Sequence, residues 1–188
     1  KTDHRNHFHV ALSALRKDLN PPDAPKGTSP YIVRNRDNYW LNMKYIRLDV
    51  DEFLDISTAQ YRTQEERIAK LLQADDLYKG DYFEEYPYEY YLETEREHLR
   101  KIQVKNLYEI AEYYCRNREF AQAVNYYEKI IRTDPYEESA YLQCCTVMLQ
   151  AHAVQKARKT AQKMIQVIEG ELKVPCRERL DELFRNQN

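Results

Sequence analysis

The stretch VKNLYEIAEYYCRNREFAQAVNYYEKIIRTDP, residues 104–135, decides the fold. Counted from Val104 as position 1, its packing slots fall on Leu107, Ile110, Ala111, Tyr114, Ala123, Tyr127 and Ile130, with Pro135 at position 32. A shift of 34 residues puts Tyr141, Cys144, Cys145, Met148, Ala157, Ala161 and Met164 in the same slots, with Glu169 in place of the proline. Small residues at positions 8 and 20 let two antiparallel helices approach closely, and the larger residues fill the space between them. The adjacent pair Cys144-Cys145 therefore reads as core packing inside a repeat.

This spacing is the tetratricopeptide pattern. Working outward from it, helical periodicity predicts helices over residues 51–60, 64–78, 88–115, 119–133, 136–150 and 153–168, and a last one from about Cys176. Asp134-Pro135 fits a helix start, with proline in the first turn and Glu137 and Glu138 beside the positive end of the dipole. Gly170 sits where a helix-terminating residue is wanted. The first fifty residues read differently. Phe8, Leu12, Leu15 and Leu19 form one stripe of a helix from about Asp3, which Asn20-Pro21-Pro22 ends. After a loop, Tyr31–Arg34 and Tyr39–Leu41 are β-prone runs around an Asn- and Asp-rich tip, a β-hairpin.

Composition bounds the chemistry. The three glycines, Gly27, Gly80 and Gly170, stand apart, so neither a glycine-rich phosphate loop nor a nucleophile elbow can be built from them. At 22.7 kDa and a mean hydropathy of -0.86, with no long uncharged apolar run, a transmembrane helix is excluded and no membrane partner is expected. The four cysteines (Cys115, Cys144, Cys145, Cys176) lack CxxC spacing and suit small apolar residues in a reducing cytoplasm. His4, His7 and His9 are poorly spaced for a shared ion, so no metal, cofactor or catalytic residue is expected. The net charge of -2 hides a split: residues 1–50 carry nine Lys/Arg against five Asp/Glu, and the other 20 Lys/Arg face 26 Asp/Glu. A basic head on an acidic body suggests nucleic acid at one end. Residues 81–97 hold seven acids, one arginine and Tyr82, Tyr86, Tyr88, Tyr90 and Tyr91. Tyrosines packing the helical domain beneath solvated acids is the simplest reading of that run, and a protein-contacting surface is the second.

Several segments together resemble the bacterial transcriptional activator domain of the SARP-type (antibiotic-regulatory) transcription factors. They are residues 77–83 (LYKGDYF), 95–99 (EREHL), 117–123 (NREFAQA), 134–138 (DPYEE) and 171–175 (ELKVP). Upstream, residues 10–19 are similar to the recognition helix of a response-regulator-type winged helix, and Tyr31–Leu41 to its wing. The resemblance implies a mainly α fold. Residues 1–48 would be a partial winged-helix DNA-binding domain, contributing a recognition helix and β-hairpin wing, and residues 49–188 a tetratricopeptide-like antiparallel helix array. A winged helix needs two further helices and an N-terminal sheet, so the natural protein is expected to begin earlier, and these residues alone to bind DNA poorly. The family's glycines are replaced in the wing by Asn35, Asp37 and Asn38, before the repeat's second helix by Asn117-Arg118, and before the terminal proline by Lys173.

A recognition helix presents donors and acceptors to base edges and cations to phosphates. Arg5, Asn6, His9 and Ser13 are the candidates for contact at or near the bases, and Arg16 and Lys17 for phosphate. Arg34 and Arg36 suit a wing that reaches phosphate or a narrow minor groove. The implied partners are double-stranded promoter DNA, and RNA polymerase, a regulatory domain or a second copy for the helical part. A tetratricopeptide-like scaffold with no DNA role is the rival reading.

Overall fold

The computed structural model describes residues 2–25, 27–36 and 38–185, with side chains from Asn6 onward. The chain divides into two compact units, Lys1–Asp51 and Glu52–Asn188. In the first, helix α1 (Thr2–Leu19) is followed by a hairpin of β1 (Ile32–Asn35) and β2 (Asn38–Leu41). The second is helical: α2 (Asp49–Thr58, starting just before the division), α3 (Gln64–Leu77), α4 (Glu93–Arg116, after a 3-10 turn at Tyr90–Leu92), α5 (Phe120–Thr133), α6 (Glu138–Gln150), α7 (Val154–Met164) and α8 (Arg177–Arg185).

The 34-residue repeat is the core of the second unit. Leu107, Ala111, Ala123, Tyr127 and Ile130 of α4 and α5 are buried with Tyr141, Cys144, Cys145, Met148, Ala157, Ala161 and Met164 of α6 and α7. At the two close-approach slots Ala111 and Ala123 have no exposed surface, and neither do Cys145 and Ala157. In the second copy the Cys145 thiol donates to the Ala157 carbonyl at 3.4 Å. All four cysteines are free thiols, three of them buried and Cys115 half-buried.

The turns between paired helices repeat bond for bond. After α4, the amides of Asn117, Arg118 and Glu119 donate to the carbonyls of Tyr113, Cys115 and Tyr114. After α6, those of Ala151, His152 and Ala153 donate to Val147, Leu149 and Met148. Both are Schellman closures, which place one residue in the left-handed region. Arg118 (φ 60°) and His152 (φ 57°) occupy it, so the glycine missing from the sequence is missing where the backbone would use it.

Polar contacts fasten α2 and α3 to α4. Asn106, with 1% of its surface exposed, donates through Nδ2 to Ser57 Oγ at 2.7 Å. The Arg67 guanidinium grips Glu109 with two hydrogen bonds of 2.7 and 3.0 Å and caps the end of α2 by donating to the Ser57 and Ala59 carbonyls. Asp75 of α3 accepts from Gln103 Nε2 at 3.0 Å and pairs with Lys129 of α5. Ile68, Leu71 and Ile110 form a smaller apolar cluster beside these contacts.

One expectation needs correction. Pro135 does not begin α6; Asp134 ends α5, its carboxylate accepts the Tyr136 amide at 3.0 Å, and the helix starts at Glu138. The Pro135 carbonyl is used instead by the Tyr141 hydroxyl, at 3.1 Å. Gly170 does end a helix, the π-helical Ile165–Glu169 that prolongs α7, but it lies at φ -67°. Glycine is needed there because a Cβ would stand 2.1 Å from the Gln166 carbonyl oxygen. The left-handed position falls three residues later, on Lys173 (φ 61°).

Glu169 then ties α8 down. Its carboxylate accepts the amides of Cys176 (3.0 Å) and Arg177 (3.1 Å) and the Arg177 side chain (2.8 Å). The bond from the Arg177 side chain, with that from the Cys176 amide, pushes its pKa from 4.5 down to about 2. A depressed carboxylate stabilises the fold above its unfolded pKa, and that contribution is lost as pH falls toward the folded value. The melting temperature of Glu169→Gln should therefore lie below wild type at neutral pH and converge with it between about pH 4.5 and 2.

Replacing Arg118 or His152 by glycine relieves the left-handed Cβ at the expense of a freer unfolded chain. Each substitution should raise stability by about 0.5–1 kcal/mol in urea unfolding.

Candidate nucleic-acid interface

In the first unit α1 stops where Asn20 meets two prolines, and the Asn20 side-chain amide closes the following loop by donating to the Thr28 carbonyl at 2.7 Å. Gly27 takes φ 80° in that loop, in the left-handed region that glycine adopts without penalty. The hairpin pairs Ile32 with Leu41, Val33 with Trp40, Arg34 with Tyr39 and Asn35 with Asn38. Asn35 and Asn38 are thus the last strand pair rather than the tip. The left-handed residue is Arg36 (φ 56°), not an asparagine; Asp37 lies outside the described residues. Beyond the strands the Asn42 amide donates to the Tyr31 carbonyl at 2.7 Å and extends the ladder.

Tyr39 joins the helix to the hairpin. Its ring meets the Phe8 ring edge-on, with centroids 5.3 Å apart. The guanidinium of Arg34, opposite it on β1, lies 5.5 Å from the ring centroid, and that of Arg16 from α1 lies 5.9 Å away. Two of the candidate phosphate contacts, far apart in sequence, are therefore gathered at one aromatic ring. Arg34 Nε also donates to the Arg36 carbonyl at 2.7 Å, which bends the side chain back over the tip. Arg16 is half-buried, and its Nε has no hydrogen-bond partner among the described residues.

The remaining candidates form a strip. Asn6, His9, Ser13 and Lys17 are all exposed, and Asn6, Ser13 and Lys17 fall within about 20° of one line along α1, because eleven residues make very nearly three turns. At about 1.5 Å per residue that line is roughly 16 Å long. The side chain of Arg5 lies outside the described residues. Arg36 is exposed at the tip of the hairpin. Of the apolar stripe on α1, Leu12 is buried, whereas Phe8, Leu15 and Leu19 remain 48%, 44% and 43% exposed. Sequence reasoning missed Tyr39 as the junction. The signal for it was the cross-strand pairing with Arg34.

The second unit offers two further surfaces. A cleft of about 390 Å³ runs between α4 and α6, lined by Tyr108, Glu112, Arg116, Gln143, Thr146 and Gln150. Burial, and then the neighbouring Glu137 carboxylate, push the Tyr108 hydroxyl pKa up, so this group stays a neutral donor there. The acidic and aromatic run corrects the packing expectation: Tyr86, Tyr88, Tyr90 and Tyr91 are exposed rather than packed into the helices. Among the described residues no three His, Cys, Asp or Glu side chains are grouped to hold a metal ion, and no helix is long and apolar enough to cross a membrane.

Helix pairs stacked at a 34-residue period, with a cleft along one side, define a helical repeat domain. Residues 48–186 match the bacterial transcriptional activator domain, and the chain belongs to that family, one of transcription regulators. The match leaves α1 and the hairpin outside it. No curated protein and no solved structure matches the chain.

The Tyr39 junction is testable. Tyr39→Ala should free the hairpin from α1 at a cost of about 1–3 kcal/mol, seen as faster amide hydrogen exchange in both elements. Tyr39→Phe, which keeps the ring, should exchange like wild type.

Proposed function

We propose that the chain is the DNA-reading end and the activator domain of a bacterial transcriptional activator. In this reading α1 is a recognition helix, the β1–β2 hairpin is its wing, and both act within a complete winged helix on promoter DNA in the cytoplasm. Asn6, His9 and Ser13, with Arg5, face the bases; Lys17, Arg16, Arg34 and Arg36 meet the backbone. The helical repeats contact RNA polymerase, a regulatory domain or a second copy through surfaces such as the α4–α6 cleft.

One observation carries this reading: an exposed polar strip on α1 lies in the same small unit as two arginines gathered on Tyr39, in a chain that belongs to an activator family. Affinity from phosphate contacts depends steeply on salt, and affinity from base contacts depends on sequence. The two groups of residues therefore separate in a binding measurement.

Fluorescence anisotropy on a protein that carries these residues within a complete winged helix, titrated with promoter DNA at several salt concentrations, tests it. Lys17→Ala or Arg34→Ala should weaken binding to all sequences and lower the salt slope by about one each. Asn6→Ala or Ser13→Ala should cost about 1–3 kcal/mol on the cognate site alone. Absence of binding at low salt would sink the DNA reading and leave the helical domain as a protein-contacting scaffold.

A further inference from the structure

Between α3 and α4 the chain runs Phe83-Glu84-Glu85-Tyr86-Pro87-Tyr88-Glu89-Tyr90-Tyr91, and no Lys or Arg occurs from Phe83 to Glu95. Tyr86, Tyr88, Tyr90 and Tyr91 are 58%, 86%, 89% and 77% exposed, and Glu84 and Glu85 before them, Glu89 among them and Glu93 after them are exposed as well. A segment this exposed has little apolar burial to order it, yet its backbone is fixed. Arg96, with 5% of its surface exposed, donates to the carbonyls of Tyr82 (2.8 Å), Phe83 (3.0 Å) and Tyr86 (2.7 Å). Asp81, at the start of the strap, is held by Arg100 and by the Tyr78 hydroxyl. Phe83 takes the left-handed φ of 50° that turns the chain, and successive turns close from Tyr86 to Phe83, Glu89 to Tyr86 and Leu92 to Glu89.

The fold thus commits a buried arginine to holding exposed tyrosines in place. Aromatic side chains on a preorganised backbone bind with little ordering cost, which is the economy that binding loops use. We propose that this strap is a docking surface for an arginine-rich segment of a protein partner. A guanidinium stacks flat on a tyrosine face while its N–H fork engages a neighbouring carboxylate, and the strap carries both groups along its length. Nucleic acid is repelled by the carboxylates. Two copies meeting strap to strap would bring the same four acids face to face, which charge opposes. The proposal holds whether or not α1 reads DNA.

The test is calorimetric titration of this chain with an arginine-rich peptide and with a lysine-rich peptide of equal length and charge. The arginine peptide should bind several-fold more tightly. Changing Tyr86, Tyr88, Tyr90 and Tyr91 together to Ser should weaken it about tenfold and erase the preference over lysine. Changing Glu84, Glu85 and Glu89 together to Gln, with Glu93 left on Arg96 at 3.5 Å, should weaken both peptides and flatten the salt dependence. These side chains are exposed and Arg96 is untouched, so the variants should melt with wild type; the single change Tyr90→Ser, with a smaller loss, serves if they do not. Absence of binding at low salt, equal affinity for the two peptides, or affinities unmoved by either variant would overturn the proposal. So would sedimentation showing self-association that the tyrosine variant abolishes, which would assign the strap to a second copy.

Discussion

The closeness of two helix backbones at Ala111 and Ala123, repeated at Cys145 and Ala157, is the constraint on which the rest of the helical unit depends. Side chains without bulk at these four positions, none with exposed surface, let α4 lie on α5 and α6 on α7. The larger residues around them then interlock. A methylene added in such a contact has nowhere to go, because protein interiors are packed like crystals. The same closeness governs the turns: three residues must reverse the chain within one helix diameter, and a Schellman closure does so at the expense of a left-handed residue. That the chain places Arg118 and His152 there, rather than glycine, shows the packing overriding a local preference.

The repeat was legible because its signal is periodic and its slots are filled by residue types that have few other reasons to recur. Every helix of the second unit was visible by the same logic, and the differences lie at ends. Pro135 looked like a first-turn proline, but the Asp134 carboxylate captured the Tyr136 amide, and this local bond competes with helix formation and delays it by one turn. Gly170 was visible as a helix end, whereas its lack of a Cβ answers to the π-helical crowding before it, a local fact without a sequence signature. The strap tyrosines were misread for the opposite reason. Composition alone says that tyrosines prefer partial burial, and it cannot say that Arg96, some ten residues on, has fixed the backbone facing outward.

Much less of the candidate interface was legible. Helical spacing found the strip of Asn6, Ser13 and Lys17, since a periodic helix dictates which residues share a face. It could not show that Arg16 and Arg34 converge, because that depends on a ring contributed by the opposite strand and on the Phe8 contact that seats it. The reading of α1 as a recognition helix rests on its likeness to a winged helix, and the family match begins after it.

Helix α4 shows how one element serves two kinds of packing. Its C-terminal half contributes Leu107 and Ala111 to the apolar repeat, whereas the buried Arg96, Gln103 and Asn106 each make polar contacts toward the N-terminal side of the unit. Apolar contacts are non-directional and tolerate small rotations, so they suit a stack of repeats that must adjust along its length. Hydrogen bonds to buried groups carry a strict geometry and a heavy penalty when broken. Elements held by Arg96 and Asn106 are therefore fixed in orientation more tightly than their small apolar contact would manage. A strap that exposes its aromatic residues has no core of its own to orient it, and the buried guanidinium of Arg96 supplies what that core would have done.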